Sequence, residues 1–300
     1  MKESKNVLIT GGAGFIGSHV CDLLISKGYN VVIVDNLSSG FNSNINPAAK
    51  FFNIDVNSKE FENIFKDNKI DYVFHFAAQP SVSFSTKYPV EDAKENILAS
   101  VNILNLSKKY NVKKFITAST AAVYGVPEYL PVDEKHSLDC LSFYGLSKLT
   151  MEKYVELFGV NYIIFRFANV YGPRQSAHGE AGVVAIFADK MKNNEDITID
   201  GDGEQTRDFV YVEDIAQICL KAIESDIKNE IINVSTNTEI SVNKLFDIMS
   251  SNYNYTKSAT HGPDRIGDIK HSVLDNKKCE KLFGTVPQTT VEKGLINLVI

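Results

Sequence analysis

Residues 6–10, Asn-Val-Leu-Ile-Thr, form a short apolar run that leads directly into Thr10-Gly-Gly-Ala-Gly-Phe-Ile-Gly17. No other stretch limits so tightly what this chain can become. Gly11, Gly14 and Gly17 recur every three residues, while Gly12, Gly14 and Gly17 also keep the G-x-G-x-x-G spacing. A strand that enters such a turn and leaves it as a helix brings backbone N–H groups and a positive helix end against a pyrophosphate, where side chains would obstruct the approach. The required context is present. Residues 14–27 place Ile16, Val20, Leu23 and Leu24 on one helical face and stop at Gly28. A second apolar run over 30–34 is closed by Asp35, 18 residues beyond Gly17. An acid there accepts hydrogen bonds from both ribose hydroxyls and repels a 2'-phosphate, which predicts NAD over NADP. The same aspartate would also serve as an ordinary turn or helix cap.

The alternation continues. Residues 50–54 read as a strand ending at Asp55-Val56, a polar–apolar pair suited to flank an adenine; Ser58 caps a short helix to about 66, and 71–76 is a nearly all-apolar strand of the kind a buried parallel sheet requires. Ala77-Ala78 keeps the backbone thin where a cofactor passes. A long helix is predicted over 89–110, with Asn96 near its middle, then a strand over 114–118 that runs into Ser119-Thr120-Ala121-Ala122. Hydroxyls at the carboxyl end of a central strand sit at the crevice where open α/β sheets bind ligands. The next helix, to about 158, begins with Tyr144-Gly-Leu-Ser-Lys148, and a strand follows over 161–165. Strand and helix in turn predict an α/β, doubly wound parallel (Rossmann) sheet over residues 1–170. The texture then changes: helices are expected over 181–192 and 213–224, a tight turn at Gly201–Gly203 between two short strands, a strand over 230–234, a helix capped by Ser241, and loop from 251 onward. This predicts a smaller C-terminal substrate lobe over 171–300, with residues 208–235 returning a strand and helix to the sheet.

Tyr144 and Lys148 lie four residues apart and therefore on the same helical face. A fixed positive charge beside a phenol favours the phenolate, making a group whose ordinary pKa is about 10 usable as a base nearer neutral pH. Taken alone, the pair also fits a plain amphipathic helix. Its company decides otherwise.

Composition removes other classes. The net charge of −6 supplies no basic stripe for nucleic acid. Cys21, Cys140, Cys219 and Cys279 are scattered without metal or redox spacing, which predicts reduced thiols, and the six histidines form no metal-binding pattern. No apolar run of signal-peptide or membrane-spanning length occurs, so a cytoplasmic protein is expected. The helices 89–110 and 143–158 carry more apolar surface than one sheet contact buries, which predicts a homodimer joined through a four-helix bundle.

The glycine turn with Asp35, Ser119-Thr120, Tyr144/Lys148, Gln205-Thr-Arg207-Asp-Phe209 and Arg265-Ile-Gly267-Asp268 resemble, in order over nearly the whole length, the extended short-chain dehydrogenase/reductases of the NAD-dependent epimerase/dehydratase family, and within it the UDP-glucose 4-epimerase branch. The resemblance implies a base at Tyr144, a hydroxyl bridging it to the sugar at Thr120, and Lys148 holding the nicotinamide ribose. It places Gly11, Gly14, Phe15, Ile16, Gly17, Asp35, Asn36, Asp55, Val56, Phe76, Ala77, Ala78 and Asn96, together with Tyr144 and Lys148, on the cofactor. It places Ser119, Thr120, Tyr144, Asn169, Arg174, Val183, Arg207, Arg265, Asp268 and Ser272 on a UDP-sugar. The implied reaction is C4 epimerisation of UDP-glucose and UDP-galactose through a 4-keto sugar, without net redox. Sugar-nucleotide dehydratases of the group carry an Asp-Glu pair where this chain has Ala121-Ala122, so epimerisation is favoured over elimination. A non-catalytic NAD-binding sensor would not need the Tyr/Lys pair. Ser272, at the implied gate beside the sugar 2-position, leaves room for a 2-acetamido group.

Overall fold

The computed structural model describes residues 5–177, 182–265 and 269–299. Seven parallel strands form the central sheet: β1 (Asn6–Thr10), β2 (Asn30–Val34), β3 (Lys50–Phe52), β4 (Tyr72–His75), β5 (Lys114–Thr120), β6 (Tyr162–Phe167) and β11 (Glu230–Val234), in the spatial order β11-β6-β5-β4-β1-β2-β3. The chain winds outward from β1 through β2 to β3, then from β4 through β5 and β6 to β11. The doubly wound sheet is therefore present, and its switch point lies between β1 and β4, where such sheets open a ligand crevice. Thr10 Oγ1 and His75 Nδ1, 2.8 Å apart, bridge the two strand ends there.

Apolar cores cover both faces. On one, α1 (Phe15–Ser26) and α8 (Val212–Glu224) pack on Val7, Ile9, Ile33, Phe165 and Ile232. On the other, α2 (Phe61–Asn68), α5 (Ala99–Lys109) and α6 (Phe143–Phe158) cover Leu8, Val73, Phe115 and Ile164. Ser142 caps α6 by accepting the Gly145 N–H at 3.0 Å, a bond contributing about 1 kcal/mol, and Gly159, left-handed at φ +73, ends it.

The second half adds short strands: β7 (Asn169–Tyr171) pairs with β10 (Phe209–Tyr211), β8 (Thr198–Asp200) with β13 (Thr260–Gly262), and β9 (Thr206–Arg207) with both β12 (Ile240–Ser241) and β14 (His271–Ser272). These enclose a third core with α7 (Val183–Lys192), α9 (Val242–Tyr253) and α11 (Val291–Ile296).

Several expectations are corrected. The predicted helix over 89–110 is α4 (Pro89–Ala93), a π-helical turn at Lys94–Leu98 and α5, preceded by α3 (Val82–Lys87), which the pattern did not show. Ser58 does not cap α2, which starts at Phe61; its carbonyl accepts the Phe61 N–H instead. The strands flanking Gly201–Gly203 pair with distant segments and not with each other. The stretch beyond 251 is not loop: it finishes α9 and supplies β13, β14, α10 (Lys277–Phe283) and α11, elements too short to announce a period and held by partners far away in sequence. Among the described residues, no helix is long and apolar enough to cross a membrane.

Candidate active site

The glycine turn is built to be approached. Gly11 is left-handed (φ +73), and a Cβ on it would sit 2.5 Å from the Ala77 nitrogen; on Gly17 it would lie 2.2 Å from the Gly11 carbonyl oxygen. Turn, helix start and the 77–78 backbone are therefore in contact. The carboxylate of Asp35, buried at the end of β2, accepts the Ala13 N–H (3.0 Å) and the Leu37 N–H (2.8 Å), fixing an acid against the turn. Asn36 reaches Asp55 across the next crevice, and the Asn57 N–H holds Asp55. A dinucleotide fits this arrangement: a bare backbone cradle, an oriented acid and a thin wall at Ala77-Ala78.

Tyr144, half-buried on the first turn of α6, lies beside the Thr120 side chain at the end of β5. Burial pushes the phenol up to about 12; the neighbouring Thr120 hydroxyl opposes this and the carboxylate of Asp92 adds to it. Lys148 is buried, and its Nζ donates to the Ala118 carbonyl at 3.0 Å. Desolvation brings it down to about 8, with Asp92 and then Glu152 favouring the ammonium. The expected lowering of the tyrosine by the lysine is thus not what this geometry shows. The ammonium spends a donor on β5, and burial dominates the phenol.

The remaining predicted residues separate into groups. Arg207, on β9, lies opposite Ser272 of β14 in register, and Arg265 is exposed just past β13. Asn169 is exposed at the start of β7, its N–H donating to the Asp208 carbonyl. Val183 is half-buried at the first turn of α7. Asp268 lies outside the described residues. Three residues have commitments of their own: Ser119 donates to Glu152, Arg174 pairs with Asp22 of α1 at 2.8 Å, and Asn96 exchanges hydrogen bonds with Gln79 while donating to Asp92 and Ser147.

The sequence reading passed over Asp92, Glu152, Gln79 and Asp208. Gln79 and Asn96 join the loop after β4 to the catalytic helix through Ser147, with the π-helical turn at Lys94–Leu98 presenting Asn96. Asp208 is buried, accepting from Thr236 and Asn237 so that the β9–β10 junction beside Arg207 is pinned; burial raises its carboxyl to about 6 against those hydrogen bonds. Glu152 alone had a signal in the sequence, the next position along the Tyr144–Lys148 stripe.

A glycine-wound dinucleotide cradle at the switch point, facing a Tyr–Thr hydroxyl pair with a lysine one turn on, defines a short-chain dehydrogenase/reductase type of site. The chain belongs to the NAD dependent epimerase/dehydratase family, whose model matches residues 7–235. It is 46% identical over 298 residues to a provisionally named UDP-glucose 4-epimerase of Methanocaldococcus jannaschii, covering 98% of this chain and 97% of the relative. Among solved structures, the UDP-glucose 4-epimerase of Thermotoga maritima with UDP-glucose superposes with a TM-score of 0.95 at 44% identity, covering 98% of this chain and 97% of that one. A UDP-N-acetylglucosamine 4-epimerase of Methanobrevibacter ruminantium in complex with UDP-N-acetylmuramic acid gives 0.93 at 37%, covering 99% and 97%.

Proposed function

We infer that this protein is an isomerase, an NAD-dependent 4-epimerase of UDP-hexoses that interconverts UDP-glucose and UDP-galactose through a transient 4-keto sugar. The observation that carries this reading is Tyr144 beside the Thr120 side chain at the end of β5, followed by Ala121 and Ala122, which offer no acid or base for eliminating water. The family is NAD dependent and relatives alike over their full length act on UDP-sugars.

NAD held in the glycine cradle would supply the hydride acceptor, and later the donor, for sugar C4. The chain's own residues do the rest. Tyr144 takes the proton of the 4-hydroxyl through the Thr120 bridge and returns it after the sugar has turned over. Lys148 holds the nicotinamide ribose and its ammonium favours the phenolate once drawn to it. Gly11, Gly14, Phe15, Ile16 and Gly17 take the pyrophosphate, Asp35 and Asn36 the ribose, Asp55 and Val56 the adenine, and Phe76, Ala77 and Ala78 line the path between. The lobe over 171–300, with Asn169 just before it, takes the UDP-sugar; Arg207 and Arg265 are suited to the diphosphate, and Asp268 belongs to the same set of nucleotide-sugar residues. Incubation with UDP-galactose yields UDP-glucose until the two reach equilibrium, with no accumulating NADH; absence of interconversion rejects the reading.

Ser272, paired in register with Arg207, carries a small side chain, which supports room for a 2-acetamido group at the expected gate. We expect UDP-GlcNAc and UDP-GalNAc to be interconverted at rates within about tenfold of the unsubstituted pair, the scale of one pocket group. No turnover of the N-acetyl sugars removes that extension.

The protein acts as a cytoplasmic homodimer. Val90 on α4 is 76% exposed and Leu157 on α6 is 84% exposed, with Leu98 on the π-helical turn and Phe143, Leu146 and Tyr154 on α6 also open. A second copy laying its own α4–α6 face on this one closes a four-helix bundle. Sedimentation at micromolar concentration shows a dimer, and Leu157→Glu shifts it toward monomer; a wild-type monomer contradicts the assignment.

A further inference from the structure

The catalytic helix touches the sheet through a ladder of side chains spaced one turn apart. Tyr144 meets Thr120, Lys148 donates to the Ala118 carbonyl, and Glu152, one turn further, accepts from the Ser119 hydroxyl. Three successive residues at the end of β5 are thus each held by one rung of α6. The helix approaches closely here: a Cβ on Gly145 would lie 2.7 Å from the Ala122 carbonyl oxygen. The lowest rung has an anchor of its own. Glu152 and Arg166 of β6 form a bidentate pair, Nε to Oε1 at 3.0 Å and Nη2 to Oε2 at 2.6 Å, with both side chains almost wholly excluded from solvent. Arg166 also donates to the Tyr124 hydroxyl, which donates to Asn233 of β11, and Asn233 in turn donates to the Val132 carbonyl and to Glu134. Val132 bridges to Leu274, two residues beyond Ser272.

We propose that Glu152, clamped by Arg166, is a positioning residue for the epimerisation site: it sets the register of α6 on β5 so that Tyr144 meets Thr120, and it is a buried counter-charge for the Lys148 ammonium. A buried ion pair is a poor device for stability, because the desolvation of both charges offsets their attraction. Its use here is registry. The same network occupies the Ser119 hydroxyl, which donates to Glu152. Lys148 is faced by Tyr144 and Glu152 from its own helix, by the carboxylate of Asp92 from α4, and by His75 from β4, whose imidazole burial and the Lys148 charge bring down to about 3 and keep neutral. Glu152 faces Ser119, Arg166 and Cys140. Removing the Glu152 charge therefore removes one of two carboxylates acting on the lysine.

The proposal rests on the epimerase reading for its kinetic readout only. The test is Glu152→Gln, followed by NMR titration of the lysine side chains, with Lys148 identified by its absence in Lys148→Arg. Lys148 titrates lower than in the wild type by about half a pH unit or more, the size expected for one nearby charge removed. With UDP-galactose, kcat falls about tenfold or more and KM stays within about twofold, since the groups that anchor the diphosphate lie elsewhere. A folded E152Q in which Lys148 titrates as in the wild type, or in which KM rises with kcat unchanged, overturns the proposal. If E152Q does not fold, the double substitution E152L/R166M leaves no buried charge unpaired and carries the kinetic readout: kcat falls about tenfold or more with KM within about twofold, and an unchanged kcat overturns the proposal. If the wild type proves inactive on UDP-sugars, the epimerase reading falls while the Lys148 titration still decides this assignment.

Discussion

Replacing Tyr144 by phenylalanine lowers kcat for interconversion of UDP-glucose and UDP-galactose by about three orders of magnitude, within the range for losing a positioned general base. KM changes little. The ring keeps its packing at the start of α6, so the fold persists, and the residues expected to hold UDP lie on β7, β9 and past β13, away from the phenol. The lost atom is the phenol oxygen beside the Thr120 side chain, whose Oγ1 accepts the Ala122 N–H at 3.2 Å. Steady-state kinetics with UDP-galactose measure this effect; a Y144F enzyme retaining more than about a tenth of wild-type kcat would mean that another group removes the proton.

Gly17→Ala removes cofactor binding. The added Cβ would lie 2.2 Å from the Gly11 carbonyl oxygen, 2.9 Å from its carbon and 3.0 Å from the Gly12 Cα, all backbone atoms with no rotamer to yield. The turn must open, and its N–H groups leave the line along which a pyrophosphate is received. We expect NAD affinity to fall by at least about a hundredfold, the equivalent of one or two charge-assisted hydrogen bonds, and overpacking to cost about 1–3 kcal/mol of stability. Gly28→Ala is the control. Gly28 is also left-handed (φ +84), but nothing lies within 4 Å of its added Cβ, so it loses stability to backbone strain alone and still binds NAD. Calorimetric titration with NAD separates the two. Equal affinities in both variants would show that the close approach at Gly17 does not shape the cradle.

Much of this frame was legible in the amino-acid order because its signals are local. β1 and β2 span the apolar runs that mark them in the sequence, as strands buried on both faces should. The glycine turn, Asp35 and the Tyr144–Lys148 spacing carry their geometry with them. What stayed hidden depends on direction rather than position. Ser119, Asn96 and Arg174 occupy places a motif points to, yet the structure commits their side chains to Glu152, to Gln79 and Asp92, and to Asp22. Glu152 shares the Tyr144–Lys148 stripe, but nothing local announces that Arg166 of β6 pairs with it in the interior. β13 and β14 were missed because each is two or three residues long and is defined by a parallel partner more than sixty positions away. The upward push on the phenol could not be read from the Tyr144–Lys148 spacing because it comes from burial of the side chain, which only the packing of α6 imposes.

Deuterium placed on C4 of UDP-glucose provides the most direct test of an epimerisation in which Tyr144 moves only the hydroxyl proton. The label remains on C4 of the UDP-galactose formed, in unlabelled buffer and without net NADH. Loss of the label to water, or NADH accumulating as product forms, would contradict it.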